Sequence, residues 1–237
     1  MRAKRICLIA TMDTKAKEAR FLRSELERLG LLVTLVDTGI LKESPEDVDI
    51  SQSEVLGASC GEVKRAKTRA EASDYMGRGL CRVVDRLYRR GELAAAVSLG
   101  GSGGTALASM AMRALPLGVP KVIVSTMASG NTLPYIQGED ILLINPVVDI
   151  QNLNFLTRNA LRRAAVAAML KAPLERDGAK RAVAISGFGV TTPCVDACVE
   201  RLEQEGYEVL VFHARGISGG RIMEKMIAEG HFAGVLD

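Results

Sequence analysis

The chain has 237 residues, of which 48% are hydrophobic and 25% are charged, a composition typical of a globular protein that buries a sizeable core. Its formal net charge is +3, and aromatic residues make up 4% of the chain. Attraction to nucleic acid needs a strong basic excess, and base stacking needs aromatic side chains. The composition therefore argues against a nucleic-acid-binding protein.

The sequence also argues against export and membrane insertion. The apolar stretch near the N-terminus, residues 6–10, is too short for a signal peptide. The longest apolar stretch, residues 164–170, is much shorter than the ~20 residues that a membrane-spanning helix needs. Five scattered cysteines do not form the dense framework of a small secreted protein. We therefore expect a cytoplasmic protein that does not bind membranes.

Short apolar runs alternate along the chain with helical periodicity, and this order predicts an α/β fold with a parallel Rossmann-like sheet and flanking helices. The predicted strands of this sheet cover residues 5–10, 31–36, 93–99, 120–126 and 141–144. Helical patterns cover residues 19–29, 64–90, 106–115 and 152–171. Residues 38–53 contain Gly, Pro and acidic residues without apolar periodicity and predict a long surface loop.

A domain boundary is predicted at residues 172–180, which carry Pro, Gly and four charges. We place a first α/β domain at residues 1–175 and the first part of a second α/β domain at residues 176–237. The second domain has predicted strands and helices at residues 181–186, 195–202, 208–213, 219–229 and 232–236. These elements make the front half of a doubly wound domain, so we expect the second domain to be truncated in this chain.

A glycine-rich segment follows the predicted strand at residues 93–99 and precedes a predicted helix. It comprises Gly100, Gly101, Ser102, Gly103, Gly104 and Thr105. Glycines allow successive backbone N–H groups to point into one concavity, and the positive end of the following helix adds to the attraction for phosphate. The spacing matches neither the Walker A loop nor the dinucleotide-binding fingerprint. The segment predicts a phosphate site of another kind, and the alternative is a tight turn without a ligand.

A second polar loop follows the next predicted strand. Its candidate ligand-binding residues are Ser125, Thr126, Ser129, Gly130 and Asn131. The hydroxyl groups can donate hydrogen bonds to phosphate or ribose oxygens. Because the carboxyl ends of adjacent parallel strands share one crevice, we expect this loop and the glycine-rich segment to face the same ligand. The alternative is a loop that caps the following helix.

Further candidate residues follow the first and second predicted strands. Thr11, Asp13 and Lys15 come after the first strand and supply a hydroxyl, a carboxylate and an ammonium group. We expect Lys15 to neutralise phosphate and Asp13 to hold a magnesium ion through water. Asp37 ends the second strand, where an acidic residue of a Rossmann-like sheet binds a ribose. The alternative for Asp37 is a simple turn residue.

Three segments carry a further signal: ATMDTKAKEARFL, LGGSGGTALASMAMRALPLGVPKVIVSTMASGN and VVDIQNLN. In these segments the chain resembles the Tm-one-like ATP-binding domain family, which is named after a plant tobamovirus-resistance protein. The resemblance covers nearly the whole chain, and the part from VAISGFGV onwards is similar to the opening of the family's second domain. It implies a two-domain protein that binds ATP, with or without Mg²⁺, and residues 100–105 and 125–132 as the nucleotide-contacting segments. No reaction follows from it.

Two positions depart from the family's pattern. Ala10 stands where the family's first turn usually has a glycine, and one extra residue lies between Gly216 and Gly219. An alanine with ordinary strand dihedrals is tolerated at the first position. The second departure argues against a ligand role for the loop at residues 213–220.

Two other functions stay open. The segment Gly100–Gly104 also fits G-x-S-x-G, which would make Ser102 the nucleophile of a serine hydrolase, with Asp140 or Asp149 and then His213 as its partners. Alternatively, the protein is a regulatory module that uses ATP as a conformational switch or to hold a partner protein.

The remaining signals predict structural roles. Residues 64–69 include four basic side chains, which we interpret as a solvated helix face. Cys194 and Cys198 lie one helical turn apart, and we expect them in the core rather than at a metal. Asp149 and Asn154 are expected either to contact a ligand or to cap the following helix, and for Asn152 we favour capping. The alanine-rich helix at residues 152–171 packs either within the domain or at a subunit contact, and the second alternative predicts a homodimer.

Overall fold

The computed structural model describes residues 3–59, 68–170, 180–214 and 217–237. These residues form two parallel sheets, and the Rossmann-like α/β class expected from the sequence is confirmed. The first sheet and its helices are β1 (Arg5–Ala10), α1 (Met12–Arg28), β2 (Val33–Asp37), α2 (Gln52–Ala58), α3 (Arg69–Arg89), β3 (Leu93–Gly100), α4 (Ser102–Met112), β4 (Lys121–Ser125), α5 (Leu133–Ile136), β5 (Ile141–Ile144) and α6 (Phe155–Ala167). The second sheet and its helices are β6 (Ala182–Gly187), α7 (Thr192–Gln204), β7 (Glu208–His213), α8 (Ile217–Ala228) and β8 (Gly234–Leu236).

The chain divides into two compact units, residues 1–136 with 140–173 and residues 137–139 with 174–237. The strands of the first unit lie in the order β2-β1-β3-β4-β5, and all are parallel. The strands of the second unit lie in the order β7-β6-β8 and are also parallel. In both sheets, the strand that comes first in the chain therefore lies between the second and the third.

Alternate residues of the central strands in the first sheet support opposite layers of helices. Ile6 and Leu8 of β1 pack with α1 and α6 on one face. Cys7 and Ile9 pack with α2, α3 and α4 on the other face. This period of two is expected for a strand that is buried on both faces. The helices α1 and α4 consequently lie on opposite sides of the sheet.

The positions of the strands follow the sequence closely. β1, β5 and β7 have the residues predicted for them, and residues 38–51 form the long loop expected before α2. The predicted capping of the last helix of the first unit by Asn152 is wrong. Asn154 caps α6, because its Oδ1 accepts hydrogen bonds from the backbone N–H groups of Leu156 and Thr157 at 2.9 and 3.0 Å.

The two cysteines of α7 are not both in the core, contrary to the expectation from the sequence. Cys194 is exposed and Cys198 is half-buried, whereas Val195 is the residue of the first turn that is buried. In the described residues, no cluster of three or more His, Cys, Asp or Glu side chains is arranged to hold a metal ion. No helix in the same residues has the length and apolar character needed to cross a membrane.

Several sequence predictions fall outside the described residues. They concern the basic side chains of Lys64, Arg65 and Lys67, the domain boundary at residues 172–179, and the extra residue beside Gly216. The helix predicted for residues 64–90 is described from Arg69, where α3 begins.

Helices α2 and α3 cross at a glycine. A Cβ atom added to Gly79 of α3 would lie 2.0 Å from the carbonyl oxygen of Val55, so only a hydrogen atom fits there. The obstructing atom belongs to the backbone of α2 and cannot rotate away. A Cβ atom added to Gly57 of α2, by contrast, would meet no heavy atom within 4 Å.

We expect Gly79→Ala to destabilise the first unit by about 2 kcal/mol, because the backbones of α2 and α3 must separate. The matched change Gly57→Ala should be neutral or slightly stabilising, since alanine has room there and a higher helix propensity. Urea denaturation followed by circular dichroism gives both free energies of unfolding. Equal free energies for the two variants would contradict the close crossing at Gly79.

The thiol of Cys7 is enclosed in the middle of the first sheet. Burial raises the pKa of Cys7 to about 12, because a thiolate at this position would lose its hydration. In the folded protein we therefore expect Cys7 to resist iodoacetamide at about pH 8.5, whereas the exposed Cys194 reacts. Peptide mass spectrometry measures both reactions, with urea-unfolded protein as the control. Native labelling of Cys7 as fast as in urea would disprove its enclosure.

Candidate functional site

The first sheet reverses its winding direction between β1 and β3. The chain leaves β1 through α1 towards β2 on one side, and it leaves β3 through α4 towards β4 on the other. In open α/β sheets, ligands bind in the crevice beyond the carboxyl ends of the strands at such a reversal. Because α1 and α4 follow β1 and β3 directly, the N-termini of both helices lie at this crevice.

A cleft of about 280 Å³ occupies this position. Seven of the residues that line it are among the candidates predicted from the sequence: Thr11, Asp13, Lys15, Gly101, Ser102, Gly103 and Gly104. Six others were not predicted: Thr14, Thr38, Ile40, Leu41, Ser73 and Leu107. The candidates after β1 and β3 are therefore brought together, as expected from the adjacency of the two strands.

The glycine-rich segment presents its backbone to the cleft. Gly101 is the N-cap residue of α4, and having no side chain it makes no side-chain cap. The first N–H groups of an α-helix have no acceptor within the helix. A Cβ atom added to Gly103 would meet no heavy atom within 4 Å, whereas one added to Gly100 would lie 3.2 Å from the Cα of Gly104. Gly100 is thus needed for the close approach of the backbone at Gly104, whereas Gly103 borders open space.

Thr105 and Ser125 lie inside the protein rather than in the cleft. Both are buried, and their hydroxyl oxygens are 2.6 Å apart. Thr105 Oγ1 donates a hydrogen bond to the carbonyl oxygen of Gly101 at 2.8 Å, and Ser125 Oγ accepts one from the N–H of Met127 at 3.0 Å. The two hydroxyl groups join the turn after β3 to the turn after β4.

The loop after β4 does not contribute to the lining of the cleft. Ser129 Oγ donates to the carbonyl oxygen of Thr126, and Asn131 Oδ1 accepts from the N–H of Leu133. These contacts agree with the alternative interpretation, in which the loop caps the helix that follows it. The expectation that Ser125, Thr126, Ser129, Gly130 and Asn131 contact the same ligand as the glycine-rich segment stays a prediction.

Asp37 lies buried at the end of β2, and both of its carboxylate oxygens accept hydrogen bonds from the protein. Oδ1 accepts from the N–H groups of Met12 and Gly39 at 3.0 and 2.7 Å, and Oδ2 accepts from Ser44 Oγ at 2.6 Å. The carboxylate thus holds the start of α1 and the loop after β2. These contacts correspond to a turn residue, and a ribose contact of Asp37 stays a prediction.

Asp13 builds one wall of the cleft. Its Oδ2 accepts hydrogen bonds from the backbone N–H groups of Ile40 and Leu41, each at 3.0 Å. Gly39 lies between the two acidic side chains, because a Cβ atom there would be 2.9 Å from Asp13 Cγ and 3.1 Å from Asp37 Oδ1. The sequence contained a signal for this arrangement, a glycine two residues after Asp37, which was not recognised.

The cleft has one positive and one negative side chain. Lys15 lies at a kink in α1, where its φ of −127° and ψ of 19° interrupt the helical conformation. Within the described residues, the ammonium group of Lys15 makes no ion pair. Thr11 and Thr14 place their hydroxyl oxygens 3.1 Å apart at the same helix start. An ammonium group, two hydroxyl groups and the backbone amides of α4 are donors that suit an anion.

The serine hydrolase alternative loses one of its partners. Asp140 accepts hydrogen bonds from Lys121, the first residue of β4, and from the N–H of Gly118. Ser102 follows the carboxyl end of β3, which is parallel to β4, so Asp140 lies at the opposite edge of the sheet. Asp140 is therefore too far away to act with Ser102.

The fold and the cleft define an α/β protein with a candidate anion site at the reversal of its sheet. The model of the Uncharacterised protein family (UPF0261) N-terminal domain matches residues 4–175, and that of the family's C-terminal domain matches residues 180–237. The chain belongs to this family.

The relatives include bacterial and plant proteins. The UPF0261 protein of Clostridium tetani is 43% identical over 99% of this chain and 59% of its own length, and that of Rhizobium meliloti is 42% identical over 99% and 58%. The ToMV susceptible protein tm-1(GCR26) of Solanum lycopersicum is 40% identical over 98% of this chain and 34% of its own length. The chain thus spans less than two thirds of each of these relatives.

These matches confirm the expected resemblance to the plant tobamovirus-resistance protein and its microbial relatives, whereas the ATP-binding label of the family stays a prediction. Among solved structures, Phytolacca americana UGT2 complexed with UDP-2fluoro-glucose and pterostilbene has a TM-score of 0.33 at 10% identity, over 100% of this chain and 71% of that one. A likeness this low carries no argument about the site.

We expect Asp13→Ala to release the wall formed by Ile40 and Leu41, because their amides lose a shared acceptor. Hydrogen exchange at these two amides should speed up about tenfold. Lys15→Ala is the matched control, since it removes a charge from the same cleft and leaves both hydrogen bonds in place. Exchange measured by NMR that is equally slow in wild type and Asp13→Ala would show that the carboxylate does not hold the wall.

Proposed function

We propose that the cleft binds the phosphates of ATP on the first-turn backbone amides of α4. The observation that carries this proposal is the position of the uncapped, glycine-lined N-terminus of α4 in a cleft at the winding reversal of the sheet. Lys15 adds a positive charge to the same cleft, and Thr11 and Thr14 add hydroxyl groups. The family resemblance supports the choice of ATP among phosphate ligands.

The charges of the lining residues favour a phosphate chain that carries a metal ion. The negative charge of Asp13 and the positive charge of Lys15 cancel. The positive potential that attracts a polyanion therefore comes from the helix N-termini. Mg²⁺ usually keeps several waters and is held by one or two carboxylates together with substrate phosphates. Asp13, with one oxygen engaged by the two loop amides, fits the role of a single carboxylate contact through water.

The volume of the cleft, about 280 Å³, lies just below the usual range for small-molecule sites, which is roughly 300–1,000 Å³. It accommodates a phosphate chain and part of what is attached to it. In this proposal, the candidates Gly101, Ser102, Gly103 and Gly104 contact the phosphates through their backbone. Thr105 and Gly100 support the turn from within.

Isothermal titration calorimetry with ATP and Mg²⁺ tests the proposal on wild type and Gly103→Val. We expect the affinity of Gly103→Val for ATP to fall by about tenfold or more, because the valine side chain would project towards the space assigned to the phosphates. Gly57→Val is the matched control, since its added Cβ also meets no heavy atom within 4 Å and lies on α2. Equal affinities of wild type and Gly103→Val would overturn the proposal.

Turnover separates an ATP-consuming enzyme from a module that uses ATP as a conformational switch or to hold a partner. Release of ADP from the family's longer chains would indicate an enzyme. Tight binding of ATP without product over hours would indicate a binding module.

A further inference from the structure

The residues that line the cleft are of two kinds. The start of α1 and the first turn of α4 supply an ammonium group, hydroxyl groups and backbone amides. Ile40, Leu41 and Leu107 are apolar and are called here the apolar part of the cleft; Ile40 and Leu107 pack against the core on the face of the sheet covered by α3, which carries Ser73. The side chain of Ser73 makes no hydrogen bond to the described part of the chain. A cleft with both polar and apolar lining residues suits a ligand that has a polar and an apolar part.

The apolar wall is held in place although part of it is exposed. Leu41 is 59% exposed. Its backbone is fixed by Asp13 on one side. On the other side, Ser44 Oγ donates to Asp37 and accepts from the N–H of Gln52, and Gln52 Nε2 donates to the carbonyl oxygen of Lys42. Leu41 is thus presented to solvent by an anchored loop.

We propose, resting on the phosphate site above, that the apolar part of the cleft binds the planar heteroaromatic ring of a nucleotide, with Ser73 contacting the edge of the ring. Burial of apolar surface against Leu41, Ile40 and Leu107 stabilises the ring. Ser73 decides between a ring and an alkyl chain, because an alkyl chain would bury the hydroxyl group without a partner.

The first test compares two probes, ATP and inorganic tripolyphosphate, on wild type and Leu41→Ser by calorimetry. We expect the affinity for ATP to fall about tenfold in Leu41→Ser and the affinity for tripolyphosphate to stay unchanged. Leu41→Met keeps the apolar area and should retain ATP affinity. The assignment of the ring would be overturned if Leu41→Ser lowered the affinities for ATP and tripolyphosphate by equal factors, or if it lowered neither affinity.

Gly103→Val distinguishes this inference from the phosphate site on which it rests. This substitution should weaken the binding of both ATP and tripolyphosphate, since both carry phosphate. If wild type bound neither ATP nor tripolyphosphate, the phosphate site and the ring site would both be overturned. If wild type bound both with the same affinity and Gly103→Val weakened both, the phosphate site would stand and the ring site would fall.

Ser73→Ala tests the contact with the ring edge by comparing ATP with GTP, whose rings have different edge groups. We expect the ratio of the two affinities to change by about threefold to tenfold, the range for one hydrogen bond. Binding of tripolyphosphate should be unaffected and serves as the control. An unchanged ratio of the two affinities would show that Ser73 does not contact the ring.

Discussion

The site depends on one topological constraint, the placement of β1 between β2 and β3. Because the connections after β1 and β3 run to opposite sides, none of the helices in the described ranges crosses the space between the carboxyl ends of these strands. The first turns of α1 and α4 therefore border the same space from opposite faces of the sheet. Every polar group of the cleft that comes from these two turns is there because of that strand order.

The acidic side chains near the cleft show how the same constraint organises the neighbouring loop. Asp37 and Asp13 accept four backbone N–H groups in total, from Met12, Gly39, Ile40 and Leu41. The loop after β2 is thereby folded back onto the start of α1. Gly39 is needed at its centre because the two carboxylates approach from both sides. Residues distant from the glycine-rich segment thus become a wall of its cleft.

The sequence predicted the strands and helices well, but it predicted only some of the residues that line the cleft. Apolar periodicity and turn residues locate strands such as β1 and β5, and the segment Gly101–Gly104 stands out by composition. The loop after β4 does follow the strand next to β3, as expected, but the cleft lies at the reversal between β1 and β3, so this loop does not line it. Ser73 and Leu107 could not be predicted, because their places depend on how α3 and α4 pack. Thr105 and Ser125 were expected to bind a ligand, yet their hydroxyl groups bond to each other.

The electrostatic character of the cleft follows from which donors and acceptors are already engaged. A carboxylate that accepts two backbone N–H groups has part of its charge compensated, and this applies to Asp13. Lys15 has no such compensation within the described residues, and the first-turn amides of α4 have no side-chain cap. Asp13 is therefore engaged with the loop after β2, whereas Lys15 and the first-turn amides of α4 keep their donors for the anion that we propose to bind here. The two hydrogen bonds that anchor the loop also offset part of the negative charge beside those donors.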